Sequence, residues 1–178
     1  MQIRRRIAVF AVAREFPVLV QSDASGARHM HDPGAASFEQ GVGMVETLVR
    51  MQRARAVVSL SAVNDEIHDR TLNALNAGAV AIIEDNAVNR RFFTHGKNAL
   101  VFRYGDDSLR ECFDLVCRDP SRAYDIAEAG RALRDDARLR FGFEELMRLA
   151  GAPDPPFRDR IRNWLEVRGF GASQFMAM

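Results

Sequence analysis

The run Ala79-Val80-Ala81-Ile82-Ile83 constrains the fold of this chain more than any other feature. Gly78 precedes it and Glu84-Asp85-Asn86 closes it. Five apolar residues without polar alternation are too few for a buried helix, so they predict a strand covered on both faces. A strand of that kind belongs to a parallel sheet between two layers of helices. Val18-Leu19-Val20, Ala56-Val57-Val58-Ser59-Leu60 and Asn98 to Phe102 supply three more short apolar runs, which makes four expected strands.

Between these runs the pattern is helical. Arg4 to Arg14 contains good helix formers and stops before Pro17. Ser37 reads as the N-cap of a helix reaching about Arg53, with Val42, Val45, Leu48, Val49 and Met51 on one side. His68 to Ala77 is helical and ends at Gly78, Asn86 to Phe93 forms a shorter helix, and Asp107 to Cys117 another. Strands separated by helical segments require right-handed crossovers and parallel pairing. The expected class is therefore α/β, a three-layer Rossmann-like domain with a mostly parallel sheet. From Pro120 onward only helices are expected, at Arg122 to Arg134, Ala137 to Ala150 and Phe157 to Val167, and Asp23 to Gly34 reads as a long surface connection. Residues 1–150 form the expected domain. Residues 151–178, set off by Pro153, Pro155 and Pro156, form an amphipathic C-terminal helix and tail that pack on the domain or on a partner.

Composition narrows the function classes. A chain of 178 residues, 47% apolar and 28% charged, suits one globular domain. Its 25 basic residues balance 24 acidic ones, so no overall field draws in nucleic acid or anionic lipid, and any anion site must be local. Arg4-Arg5-Arg6 reads as a solvated helix start. The apolar run Ile7 to Val12 is too short to span a bilayer, so no integral membrane segment is expected. Cys112 and Cys117 lie five positions apart in one helix and point in different directions, which fits a reducing, cytoplasmic setting.

Open parallel sheets bind ligands beyond the carboxyl ends of their strands. After the second expected strand comes the polar run Ser59 to Arg70, and after the third comes Glu84 to Arg91. A nucleoside diphosphate requires cations and free amides for its phosphates and hydrogen-bonding side chains for its hydroxyls. His68 and Arg70 suit the first role, and Asn64, Asn73, Asn86 and Asn89 the second. The same residues also read as a solvated helix start, with Asp65 and Glu66 complementing the helix dipole. His29, His31 and Asp32 are close in sequence but lack a further ligand cluster, so no metal is expected. Gly41-Val42-Gly43 lies inside a helical pattern and lacks the third glycine of a dinucleotide fingerprint, which suggests close packing instead. Neither a nucleophile elbow nor a Walker phosphate loop is present.

The stretch His68-Asp69-Arg70-Thr71-Leu72-Asn73-Ala74-Leu75-Asn76-Ala77-Gly78-Ala79-Val80, followed by Glu84-Asp85-Asn86, resembles the donor-site segment of GT-B glycosyltransferases, especially the CgeB-type group. Phe92 to Phe102 resembles that family's helix, glycine turn and edge strand, and Arg118 to Arg131 its helical C-terminal signature. The resemblance spans about Val18 to Ala150. It implies a donor-binding domain that takes a nucleotide-sugar as substrate, without cofactor or metal, through Asn64, His68, Arg70, Asn73, Glu84 and Asn86.

Two departures stand out. Many retaining members carry two acidic residues eight positions apart, the second holding the donor ribose, whereas the corresponding pair here is Asp65 and Asn73. A GT-B enzyme also has a second Rossmann-like domain, the acceptor half, and no residue here is assigned as catalytic. The alternatives are a non-catalytic Rossmann-like interaction module and a generic nucleotide-binding protein. The tail carries Phe157, Ile161, Trp164, Leu165, Val167, Phe170, Phe175, Met176 and Met178, apolar surface that implies a homodimer or a separate acceptor domain as partner.

Overall fold

The computed structural model describes residues 2–22, 34–60 and 67–133. In chain order these residues form α1 (Gln2–Ala13), β1 (Leu19–Ser22), β2 (Ser37–Gln40), α2 (Met44–Arg53), β3 (Ala56–Ser59), α3 (Asp69–Ala77), β4 (Val80–Glu84), α4 (Asn89–Phe92), β5 (Leu100–Phe102), α5 (Ser108–Arg118) and α6 (Pro120–Ala132). Every strand pairing is parallel, β1 with β2 in one sheet and β3-β4-β5 in order in another. The α/β class and the alternation of strand and helix are as the sequence implies. The expected helices at Ala137 to Ala150 and Phe157 to Val167, the tail, and most of the Asp23 to Gly34 connection lie outside the described residues.

All five residues of β4 are buried, and their alternation assigns them to two cores. Val80 and Ile82 face a cluster with Val9 and Ala13 of α1, Leu109, Cys112, Phe113 and Val116 of α5, and Ala123, Ile126 and Ala127 of α6. Ala81 and Ile83 face the other way, onto Ala74 and Leu75 of α3, Phe93 and Ala99. Each fully buried isoleucine removed from water contributes about 1.5–3 kcal/mol, which makes β4 the centre of the domain. Phe16 stacks on Phe113 with ring centroids 5.1 Å apart, and Arg110 grips both oxygens of Glu15 at 2.7 and 2.9 Å, so the segment after α1 is fastened to α5. Cys112 is buried and Cys117 exposed, both free, and burial pushes the Cys112 thiol up to about 12. No helix among the described residues is long and apolar enough to cross a membrane.

One expectation is overturned. Ser37 does not cap a helix; Ser37–Gln40 is a fifth strand, with Phe38 opposite Val20 and Glu39 opposite Gln21 of β1. The helix begins only at Met44, with Gly43 as its N-cap. Gly41-Val42-Gly43 is thus the turn from β2 into α2, not part of a helix, and a Cβ on Gly43 would meet nothing within 4 Å, so this glycine does not serve close packing. Glycine loses the most conformational freedom in a helix, which is why the helical periodicity starts after this pair and not before it.

Candidate functional site

The register places Ser59 beside Ile83 and Glu84 beside Phe102, so the chain leaves β3, β4 and β5 along one edge. That edge is where an open parallel sheet offers a ligand its loops and helix starts. Helix α3 is fixed there by a buried hydrogen bond in which Thr71 Oγ1 donates to Ser59 Oγ at 2.9 Å. His68 is the N-cap of α3. Its Nδ1 accepts from the Arg70 amide at 3.1 Å and also contacts the Asp69 carboxylate, which itself accepts from that amide at 2.7 Å. Arg70 is exposed on the first turn, and Asn73 lies half-buried about one turn further on.

Glu84 and Asn86 sit at the exit of β4, both buried at 5% and 8% exposure. Asn86 organises the following turn. Its Oδ1 accepts from the Asn89 amide at 2.7 Å and its carbonyl accepts from the Arg90 amide at 3.1 Å, while Asn89 Nδ2 donates to the Glu84 carbonyl at 2.9 Å. The buried Asn89 Oδ1 has no hydrogen-bond partner among the described residues. His68, Arg70, Asn73, Glu84 and Asn86 therefore all belong to the elements that begin or end at this edge. Asn64 and Asp65 lie outside the described residues. So do His29, His31 and Asp32, and among the described residues no group of three metal-ligating side chains is found.

Between β4 and β5 the structure adds a cluster that no motif indicated. Asp85, its side chain 8% exposed, receives Nε and Nη2 of Arg90 at 2.6 and 2.9 Å, and Nε of Arg103 at 2.8 Å. The hydrogen bonds from Arg90, followed by those from Arg103, hold the Asp85 carboxyl down at about 2. Asp106 stands near Arg103, but its carboxylate is engaged by the Ser108 amide at 3.0 Å and by the Ser108 hydroxyl. The usable signal was positional: the residue after β4 and the residue after β5 are neighbours whenever the two strands pair in parallel. The Asp85 amide bonds the Phe102 carbonyl at 2.8 Å, which brings Asp85 and Arg103 side by side. A small cavity lies on the α1 side of this turn, lined by Val9, Val12, Phe102, Tyr104, Asp106 and Leu109.

Residues 10–139 match the family model described as glycosyl transferase-like. The chain belongs to that family. Its fold is that of a GT-B type glycosyltransferase domain, and among solved structures it is similar to Anabaena HepE in complex with UDP-glucose, with a TM-score of 0.59 at 16% identity. The similarity covers 74% of this chain and 40% of that one. The same coverage holds for HepE in complex with UDP and glucose, with a TM-score of 0.60 and 13% identity. The matched part of this chain thus spans 40% of the length of these structural relatives. No curated protein matches it.

Proposed function

We propose that this member of the glycosyl transferase-like family is the domain that binds a nucleotide-sugar donor for glycosyl transfer, without a metal ion. The observation that carries the reading is the position of His68 and Arg70 on the first turn of α3, pinned by Thr71 to the carboxyl end of β3 and next to the exit of β4. A helix start with a nearby guanidinium suits phosphate, and the half-buried Asn73 amide suits a donor hydroxyl. Asn64, Glu84 and Asn86 complete the donor set. UDP and glucose in the HepE complexes support a nucleotide-sugar as the ligand class. The partner in this reading is a separate N-terminal acceptor domain or, in a homodimer, a second copy of the chain.

Isothermal titration with uridine, guanosine and thymidine diphosphates tests this. Binding by at least one, weakened by His68→Ala and Arg70→Ala and unchanged by a chelator, is the expected result. No heat at millimolar nucleotide removes the donor-site assignment. Asn73, standing where many retaining relatives place an acid, favours a second reading as a non-catalytic interaction module. In that case both substitutions leave partner binding intact and no nucleotide binds.

A further inference from the structure

We propose that the His95 ring is a guard that keeps the outer edge of β5 closed to strand pairing with a second copy of this chain. The inference is independent of the nucleotide-sugar reading above.

Among the described residues β5 pairs with β4 alone. The Phe102 carbonyl accepts from the Asp85 amide and so faces β4. Successive residues of a strand bond to opposite sides, which turns the backbone groups of Ala99, Val101 and Arg103 outward. An outward row of this kind on an apolar strand is a template for another strand. Here it is occupied from within the chain. The Ala99 carbonyl accepts from the Gly96 amide at 2.9 Å, and the Arg103 amide donates to Ser108 Oγ at 2.8 Å. Val101, between them, has its nitrogen and its oxygen both 3.0 Å from His95 Nδ1. A ring nitrogen accepts or donates according to its proton. The neutral ring protonated at Nε2 therefore takes the Val101 N–H, and a ring protonated at Nδ1 donates to the carbonyl. Cys112 Sγ reaches the same carbonyl only at 4.0 Å.

The turn that carries the ring is fastened on both sides. Arg122 Nη2 donates to the Gly96 carbonyl at 2.7 Å, and Asn98 Oδ1 accepts from the Thr94 amide at 2.7 Å, while His95 itself is exposed. A second copy is the occupant the row fits, because the row is self-complementary. In an antiparallel pair about a two-fold axis at Val101, the two Val101 residues would exchange both hydrogen bonds, and the Ala99 carbonyl of one copy would meet the Arg103 amide of the other. The His95 ring stands where that pairing has to begin.

Sedimentation velocity of the full chain and of His95→Ala over a range of concentrations, with hydrogen exchange at the Val101 amide, tests the guard. His95→Ala is expected to associate at least about tenfold more tightly than the wild type, its Val101 amide exchanging fast when dilute and slowly when associated. His95→Ala/Val101→Pro is expected to return to the wild-type state, because proline is tolerated on an edge strand but has no N–H to pair. Melting curves establish that each variant folds. A folded His95→Ala that sediments like the wild type at every concentration overturns the proposal, and so does an associated His95→Ala whose Val101 amide still exchanges fast. The wild-type chain supplies a test that needs no variant. Its Val101 amide should exchange slowly at dilution, and exchange as fast as that of an unbonded amide means that His95 does not hold it.

Discussion

Gly130 of α6 lies against the Asn98 carbonyl so closely that a Cβ there would stand 2.7 Å from the oxygen and 3.0 Å from Leu75 Cδ2. The leucine methyl can swing aside, but the carbonyl belongs to the turn that leads into β5. Alanine in a helix is favoured over glycine by about 1 kcal/mol, yet overpacking against backbone costs about 1–3 kcal/mol. Gly130→Ala is expected to lower stability by a net of up to about 2 kcal/mol in urea denaturation. An unchanged or raised midpoint would mean that α6 can slide away from the turn.

Gly78 provides the contrasting case. It caps α3 in the left-handed region at φ 73°, and a Cβ there would meet nothing within 4 Å. Gly78→Ala should therefore cost about 1 kcal/mol from backbone conformation alone. Gly78→Asn should recover part of that cost, because asparagine tolerates this region, and comparison of the two melting temperatures isolates the backbone contribution.

These two glycines mark how far the sequence could be read. Gly78 is legible because an αL stop follows a helical period and precedes an apolar run, all local features. β4 is legible for the same reason, with no polar residue before Glu84. β2 is not. Ser37-Phe38-Glu39-Gln40 contains one apolar residue and is mostly exposed, so only its pairing with β1 makes it a strand. The site divides in the same way. His68 and Arg70 stand next to each other in sequence at a recognisable helix start, whereas Asp85 and Arg103 lie 18 positions apart and meet only through strand register.

The Ser59–Thr71 hydrogen bond is buried, and it ties the start of α3 to the end of β3. Thr71→Val removes the donor and leaves the Ser59 hydroxyl buried without that partner, which should cost about 1–3 kcal/mol. The double variant Ser59→Ala/Thr71→Val removes both groups and should recover most of the loss. A double-mutant cycle by denaturation gives the coupling directly, and additive effects would show that the hydroxyls do not act on each other.

Asp85 gives the fold a pH dependence of known sign. Its carboxyl is held at about 2 in the folded chain, below its ordinary value of 3.8, with Arg90 the first cause and Arg103 contributing. A depressed acid stabilises the folded state above the unfolded value and ceases to do so as pH falls through the folded one. Stability should therefore decline between about pH 4 and pH 2, by on the order of 1 kcal/mol once solvent around the exposed arginines is allowed for. Asp85→Asn is expected to lose stability at neutral pH and to show a shallower decline in that window. Parallel slopes in wild type and variant would exclude Asp85 as the source.

Asn73 is the position at which ligand affinity should be improvable. It lies on α3 five residues beyond the His68 cap, half-buried and on the helix that starts at the edge of the candidate site. The resemblance to retaining GT-B enzymes implies an acidic residue here to hold the donor ribose, and an amide offers the same oxygen without the charge. A hydroxyl bonded to a carboxylate is held roughly twice as strongly as one bonded to a neutral acceptor. Asn73→Glu should therefore tighten UDP severalfold. It should leave inorganic pyrophosphate unchanged or slightly weakened, because pyrophosphate has no ribose to gain from the new charge. Titration of both ligands separates these effects. Equal weakening of both would place Asn73 beside the phosphates, and no change in either would place it outside the ligand's reach.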